Sequence, residues 1–303
     1  MKTRFLLPHQ LRLVGWLFAL PGFVLGYFVL YSDFRIPGFG ISLSPNSHFF
    51  PNPQYEDLTN ELALILVVVG LFLVAFSKEK KEDELTARIR QNALYWAVLV
   101  NYLLYLLWLL LVITIELSGR NKLVLGHLGD PLEVSIYNLF TPLVIFVARY
   151  YYLRHSKNDE YKISRLFYLP EKPYRLLGQI TSIPLLIAIV IMFVGPFINK
   201  NDVDIPGGWD VIIMFLPVTL LIWGYSRRKN EDEFISTLRL ESMQLAVYVN
   251  YAVLMIANLF LFFTDFILVL FLNLGTIALF FVLRFNYILW TYNRKNMGGN
   301  LAL

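Results

Sequence analysis

Two acidic triplets are the side chains in this chain best placed to do chemistry: Glu82-Asp83-Glu84 and Glu231-Asp232-Glu233. Each is followed at the same distance by an arginine, Arg90 and Arg239, and then by an amide–phenol pair, Asn101-Tyr102 and Asn250-Tyr251. Clustered carboxylates suit a hard divalent cation such as Mg²⁺, which could hold a phosphate-bearing substrate. The Asn–Tyr pairs could coordinate a small neutral ligand. The bland alternative is that the arginines neutralise the acids and fasten helix ends, and that each Asn makes an interhelical hydrogen bond beside a small residue.

These residues belong to a repeat. EDELTARIRQNALYWAVLVNY, from Glu82 to Tyr102, and EDEFISTLRLESMQLAVYVNY, from Glu231 to Tyr251, agree at 9 of 21 positions without a gap. The echo extends further. Arg12-Leu13, Gly15 and Pro21 correspond to Arg175-Leu176, Gly178 and Pro184; Ile36-Pro37-Gly38 to Ile205-Pro206-Gly207; and Asn138, Arg149 and Tyr152 to Asn273, Arg284 and Tyr287. The chain is a duplication over most of its length.

The elements that must position the repeated residues are membrane helices. Of the 303 residues, 57% are hydrophobic and 16% charged, with a mean hydropathy of +0.57, against about 25% charged in soluble domains. Eight apolar segments are predicted spans: Leu13–Tyr31, Glu61–Phe76, Ala93–Leu117, Leu132–Leu153, Leu176–Ile198, Val211–Tyr225, Ser242–Phe263 and Phe266–Trp290. The last two are separated only at Asp265, and the division rests on length, since Glu241 to Trp290 is too long for one helix across a bilayer. The expected fold is all-α, a polytopic membrane protein of eight transmembrane helices in two parallel four-helix repeats. Residues 1–154 form the first repeat, 155–175 a cytoplasmic connector, and 176–303 the second repeat and tail.

Charge sets the orientation. With the N-terminus inside, inner segments hold 22 of the 26 lysines and arginines, a strong positive-inside bias. The net charge of +4 is thus topological and does not mark a nucleic-acid surface. A bacterial plasma membrane, with both termini cytoplasmic, is the expected setting. The N-terminal apolar stretch runs to Tyr31 without a small-x-small cleavage signal, so an uncleaved first span is expected.

On a helix, Asp83, Arg90, Ala97 and Asn101 fall within about 40° of one stripe, and Asp232, Arg239, Ala246 and Asn250 do the same. No glycine or proline interrupts Glu79 to Ser118, which predicts one long helix with acids at its positive end. Arg149 and Arg284, at the inner ends of their spans, are the expected partners of the two triplets. The outer loop from Ser32 to Leu58 carries turn chemistry rather than a strand pattern. His127 and Asp130 in the loop from Ser118 to Pro131 are expected to be solvated.

Other chemistry is sparse. The chain has no cysteine, which removes disulfides and thiol catalysis. G-x-S-x-G, H-E-x-x-H, Walker and G-x-G-x-x-G motifs are missing, and His9, His48, His127 and His155 all lie outside the spans. No cofactor or metal is assigned. Acids and lysines are absent from mid-span, which weighs against proton-coupled transport.

Acidic motifs after the second and sixth spans resemble in placement those of UbiA-type prenyltransferases, which would imply a Mg²⁺-dependent lipid enzyme. Their motifs are of the N-D-x-x-D kind, however, whereas this chain reads Lys81-Glu82-Asp83-Glu84-Leu85 and Asn230-Glu231-Asp232-Glu233-Phe234. Each half is also similar to uncharacterised small bacterial membrane proteins with a Glu/Asp-Glu helix and a following Arg after a transmembrane hairpin. That resemblance implies no activity, but a docking surface for a cytoplasmic regulator. The leading expectation is therefore a non-enzymatic regulatory or scaffolding module presenting its charged helices to a cytoplasmic protein. The alternatives are a small-molecule or lipid transporter using the Asn–Tyr pairs, and a lipid-modifying enzyme at the acidic mouth.

Overall fold

The computed structural model describes residues 6–42, 55–80, 82–118, 135–136, 138–155, 166–198, 214–229, 231–261 and 264–299. The helices are α1 (Leu11–Ser32), α2 (Thr59–Phe76), α3 (Glu84–Leu117), α4 (Thr141–His155), α5 (Tyr174–Ile198), α6 (Leu216–Tyr225), α7 (Glu233–Phe260) and α8 (Thr264–Gly299). Six contain stretches long and apolar enough to cross a membrane: α1, α2, Glu84–Ile115 of α3, Tyr174–Ile191 of α5, α7, and Val269–Arg294 of α8. The architecture is all-helical and multi-pass in character. As described, α4 with 15 residues and α6 with 10 are shorter than the ~20 needed to span. Leu132–Val134 and Val211–Ile213, expected to begin those two spans, lie outside the described residues, as does the loop segment carrying His127 and Asp130.

The helix expected between Glu79 and Ser118 is continuous from Glu84 to Leu117. Its 34 residues rise about 50 Å, well beyond a ~30 Å hydrocarbon core. Of the last two predicted spans, the helix carrying the first ends at Phe260 and the helix carrying the second starts at Thr264, next to Asp265.

The loop after α1 departs from the expected turn-only structure. Gly40–Ser42 (β1) pairs antiparallel with Tyr55–Asp57 (β2). Three-residue strands are too short to show alternation, so only the turn before them was legible. That turn is Ile36-Pro37-Gly38-Phe39, closed by Phe39 N–H to Ile36 O at 3.1 Å, with Gly38 at φ 75°. Proline then glycine is the sequence a type II turn requires.

Two compact units emerge. The first comprises Met1–Asn101, Ile115–Ser164 and Asn250–Leu274; the second comprises Tyr102–Thr114, Arg165–Val249 and Gly275–Leu303. Each therefore includes part of a long helix from the other copy of the repeat. In the first unit α1 and α2 meet through small residues. Gly15, Ala19 and Gly22 are the buried positions of α1, and a Cβ on Gly70 of α2 would stand 2.3 Å from the Ala19 nitrogen. The rest of α1 turns Leu13, Leu17, Leu20 and Val24 outward, as a lipid-facing helix does. In the second unit Gly178 of α5 makes a similar but less close approach to the Trp223 backbone of α6, at 2.7 Å for the same test.

Candidate functional site

The acids and arginines build one clasp in each unit. In the first unit α2 ends at Phe76, and the chain after it pairs in parallel with the segment before α1: Leu7 N–H reaches Phe76 O and Lys78 N–H reaches Leu7 O, both at 2.9 Å. α3 then starts at Glu84. Arg90, one and a half turns into α3, is buried and donates to Ser77 O at 3.1 Å and to Glu82 Oε2 at 3.2 Å. The same Glu82 oxygen accepts the Glu79 backbone N–H at 2.9 Å. A helix leaves its last carbonyls without internal partners and carries negative potential there. Arg90 supplies donor and charge to that end of α2, and Glu82 neutralises it in turn.

The second unit has the same clasp with more contacts. Leu169 N–H bonds Tyr225 O at 3.0 Å and Arg227 N–H bonds Leu169 O at 2.8 Å. The Arg239 side chain is fully buried. It donates from Nε and Nη2 to the two Glu231 oxygens, each at 3.1 Å, from Nη2 to Ser226 O at 3.2 Å, and from Nη1 to Gly224 O. Its guanidinium lies 4.9 Å from the Tyr168 ring centroid and 4.6 Å from that of Phe285, where a desolvated cation gains from the ring faces. Burial pushes the Tyr168 phenol pKa up.

The three acids of each triplet have separate roles. Glu82 and Glu231 hold the buried arginines. Asp83 and Asp232 cap α3 and α7: Asp83 Oδ1 accepts Thr86 N–H at 2.7 Å and Asp232 Oδ1 accepts Ile235 N–H at 2.8 Å. Glu84 and Glu233 are exposed, and Glu84 pairs with Arg88 at 2.8 Å on the surface. Among the described residues no group of three His, Cys, Asp or Glu is arranged to hold a metal.

The hydrogen bond from Thr86 holds the Asp83 carboxyl below its ordinary pKa. A depressed folded-state pKa contributes stability above the unfolded value of about 4 and loses it as pH falls through the folded one. Asp83→Ala should cost about 1 kcal/mol at pH 7 and much less at pH 3, whereas Asp83→Ser should stay near wild type. Thermal melts across pH check both.

Arg149 and Arg284 are not partners of the triplets. Arg149 donates to Asn92 Oδ1 at 3.3 Å and lies 5.2 Å from the Trp96 ring centroid; Arg284 donates to the Glu241 carbonyl at 2.9 Å. Only the last acid of each triplet lies on its helix; the acids that pair with Arg90 and Arg239 are Glu82 and Glu231, eight residues back along the chain and ahead of the helix start, where a helical projection does not apply.

The Asn–Tyr pairs are built into the packing. Asn101 donates to Asn138 Oδ1 at 2.7 Å and accepts from Thr141 Oγ1 at 2.8 Å, within the first unit. The neighbouring Tyr102 serves the second unit, its hydroxyl accepting Ala278 N–H at 3.2 Å. Asn250 and Tyr251 are both buried, and the Tyr251 ring lies 6.2 Å from Phe72.

Two features of the clasp were not read from the sequence. One is the anchor Leu7-Pro8 with its copy Leu169-Pro170; the other is the serine that closes each bridge, Ser77 and Ser226. The signal was available, because Ser77-Lys78-Glu79-Lys80 and Ser226-Arg227-Arg228-Lys229 extend the repeat upstream of the acidic window.

No protein-family model, curated protein or solved structure matches this chain.

Proposed function

We propose that the protein is a non-enzymatic regulatory or scaffolding module of a bacterial plasma membrane, docking a cytoplasmic protein on the starts of α3 and α7. It would comprise eight spans as two parallel four-span repeats, 1–154 and 176–303, joined by 155–175, with both termini cytoplasmic. The observation that carries this reading is the commitment of Glu82 and Glu231 to Arg90 and Arg239. Carboxylates spent on buried arginines are poor ligands for a catalytic metal, which weighs against a lipid-modifying enzyme. The Asn101 and Tyr102 hydrogen bonds likewise suit packing better than a transport site. The matching polarity of the two clasps supports parallel repeats.

What remains available for binding is the rim of each clasp. Leu85 and Phe234 occupy the same position in the two copies, are each about half exposed, and adjoin the exposed Glu84 and Glu233. An apolar side chain beside an exposed carboxylate, repeated on two helix starts, suits a protein partner. A photo-crosslinking residue placed at Leu85 or Phe234 in intact cells should yield the same discrete soluble-protein adduct from both positions, weakened by Glu84→Lys with Glu233→Lys. Adducts to lipid alone, or to further copies of this chain alone, would sink the docking role.

A further inference from the structure

Arg149 and Arg284 occupy equivalent positions in the repeat, and the residues they bond, Asn92 and Glu241, are equivalent too. In the second unit Arg284 donates to the Glu241 carbonyl at 2.9 Å, and the Glu241 carboxylate offsets its charge. In the first unit a neutral amide stands where that acid would be. Arg149 donates from Nη2 to Asn92 Oδ1 at 3.3 Å, a long bond, and its guanidinium lies 5.2 Å from the Trp96 ring centroid. Among the described residues Arg149 forms no ion pair.

Arginine stays charged in proteins and presents five donors in a fixed fork, and this one hydrogen bond uses a single donor of the five. The Arg149 Nε is enclosed without an acceptor, and so is the indole Nε1 of Trp96, the ring on which the guanidinium rests. Arg90 and Arg175 also enclose an unpaired Nε, but each of them is paired with a carboxylate. Arg149 combines stranded donors with an unneutralised charge, and its repeat partner Arg284 has no enclosed donor of this kind. A cation in apolar surroundings needs an anion or a polar border.

We infer that Arg149, held between Asn92 and Trp96, binds the phosphate of an anionic phospholipid headgroup. Asn92 is the last residue before the apolar stretch of α3 that opens at Ala93, and Trp96 lies one turn further on. On α4 the residues from Val144 to Ala148 are all apolar, and Val144, Ala148 and Tyr152 form an exposed side next to Arg149. The guanidinium therefore stands at the polar border of an apolar helix pair, with tryptophan and tyrosine beside it, the residue types of a membrane–water interface. A phospholipid places its phosphate at that border and its chains along the apolar face. A guanidinium donates to phosphate oxygens through parallel N–H bonds, and Nη1, which makes no bond and is not enclosed, offers the first of them. Inorganic phosphate carries the same oxygens without the chains.

The test is thermal melting of the full-length protein in nanodiscs of phosphatidylcholine alone, of phosphatidylcholine with one-third phosphatidylglycerol, and of phosphatidylcholine with inorganic phosphate at fixed ionic strength. Wild type should melt about 3 °C or more higher with phosphatidylglycerol and respond little to inorganic phosphate. Arg149→Gln should lose most of that shift, whereas Arg284→Gln, at the equivalent position beside Glu241, should keep it. Asn92→Glu, which gives Arg149 the neighbour that Arg284 has, should lose it as well. Native mass spectrometry gives a readout independent of melting: phosphatidylglycerol should be retained on wild type and Arg284→Gln and clearly less on Arg149→Gln. The proposal is overturned by no shift in wild type, by an equal shift in Arg149→Gln, by a loss in Arg284→Gln as complete as in Arg149→Gln, or by a response to inorganic phosphate as large as that to phosphatidylglycerol.

Discussion

Arg239→Ala should be among the most destabilising single changes in the chain, at about 3–5 kcal/mol, because it strands a carboxylate and two helix-end carbonyls in a buried site. Four hydrogen bonds and two aromatic faces converge on this one guanidinium. Lysine should not rescue it, since a point charge cannot serve Nε and both Nη positions at once. Arg90→Ala should cost less, because Arg90 makes two such bonds and faces one ring at 5.3 Å. Denaturant melts in detergent give the ranking. The decisive result is the cycle with Glu231→Ala: the double mutant should lose clearly less than the two singles added. Additivity within about 0.5 kcal/mol would mean that the two residues act independently and that the clasp is not a unit.

That clasp also marks the limit of what the sequence made legible. The long α3 could be read because its evidence is local: an uninterrupted stretch without glycine or proline, with acids at the front. The importance of Arg90 and Arg239 could be read because they repeat. Their geometry could not, because helical projection assumes that Glu82 and Asp83 already lie on the helix. In fact the helix begins at Glu84, so Asp83 is the cap and Glu82 lies ahead of it. The anchors Leu7 and Leu169 are harder still. A single residue pairing across a whole helical hairpin leaves no periodicity, and only the repeat of Leu-Pro before α1 and α5 hints at it. The Asn92-to-Glu241 exchange was visible as letters, but it acquires meaning only once each is seen bonded to an arginine.

Helix packing leads to the second large effect, which reverses sign between two glycines. Gly70→Ala should cost about 3 kcal/mol and Gly70→Leu should prevent α1 and α2 from docking, because the added Cβ meets backbone rather than yielding side chains: Ala19 N at 2.3 Å, Ala19 Cα at 2.7 Å and Gly15 O at 2.7 Å. Overpacking usually costs 1–3 kcal/mol where neighbours can shift; two helix backbones held in contact cannot shift without separating along their length. It follows that Ala19→Gly should not rescue Gly70→Ala, since the clash does not involve the Ala19 methyl. Gly275→Ala is the opposite case. Its Cβ would lie 3.8 Å from Pro217 Cγ and 3.9 Å from Leu216 Cδ2, ordinary contact distances. Alanine there also gains up to about 1 kcal/mol of helix propensity, so the melting temperature should hold or rise. Melts of the two alanine variants side by side check both signs. A tolerated Gly70→Ala, or a rescue by Ala19→Gly, would show that α1 and α2 do not meet backbone to backbone at this point.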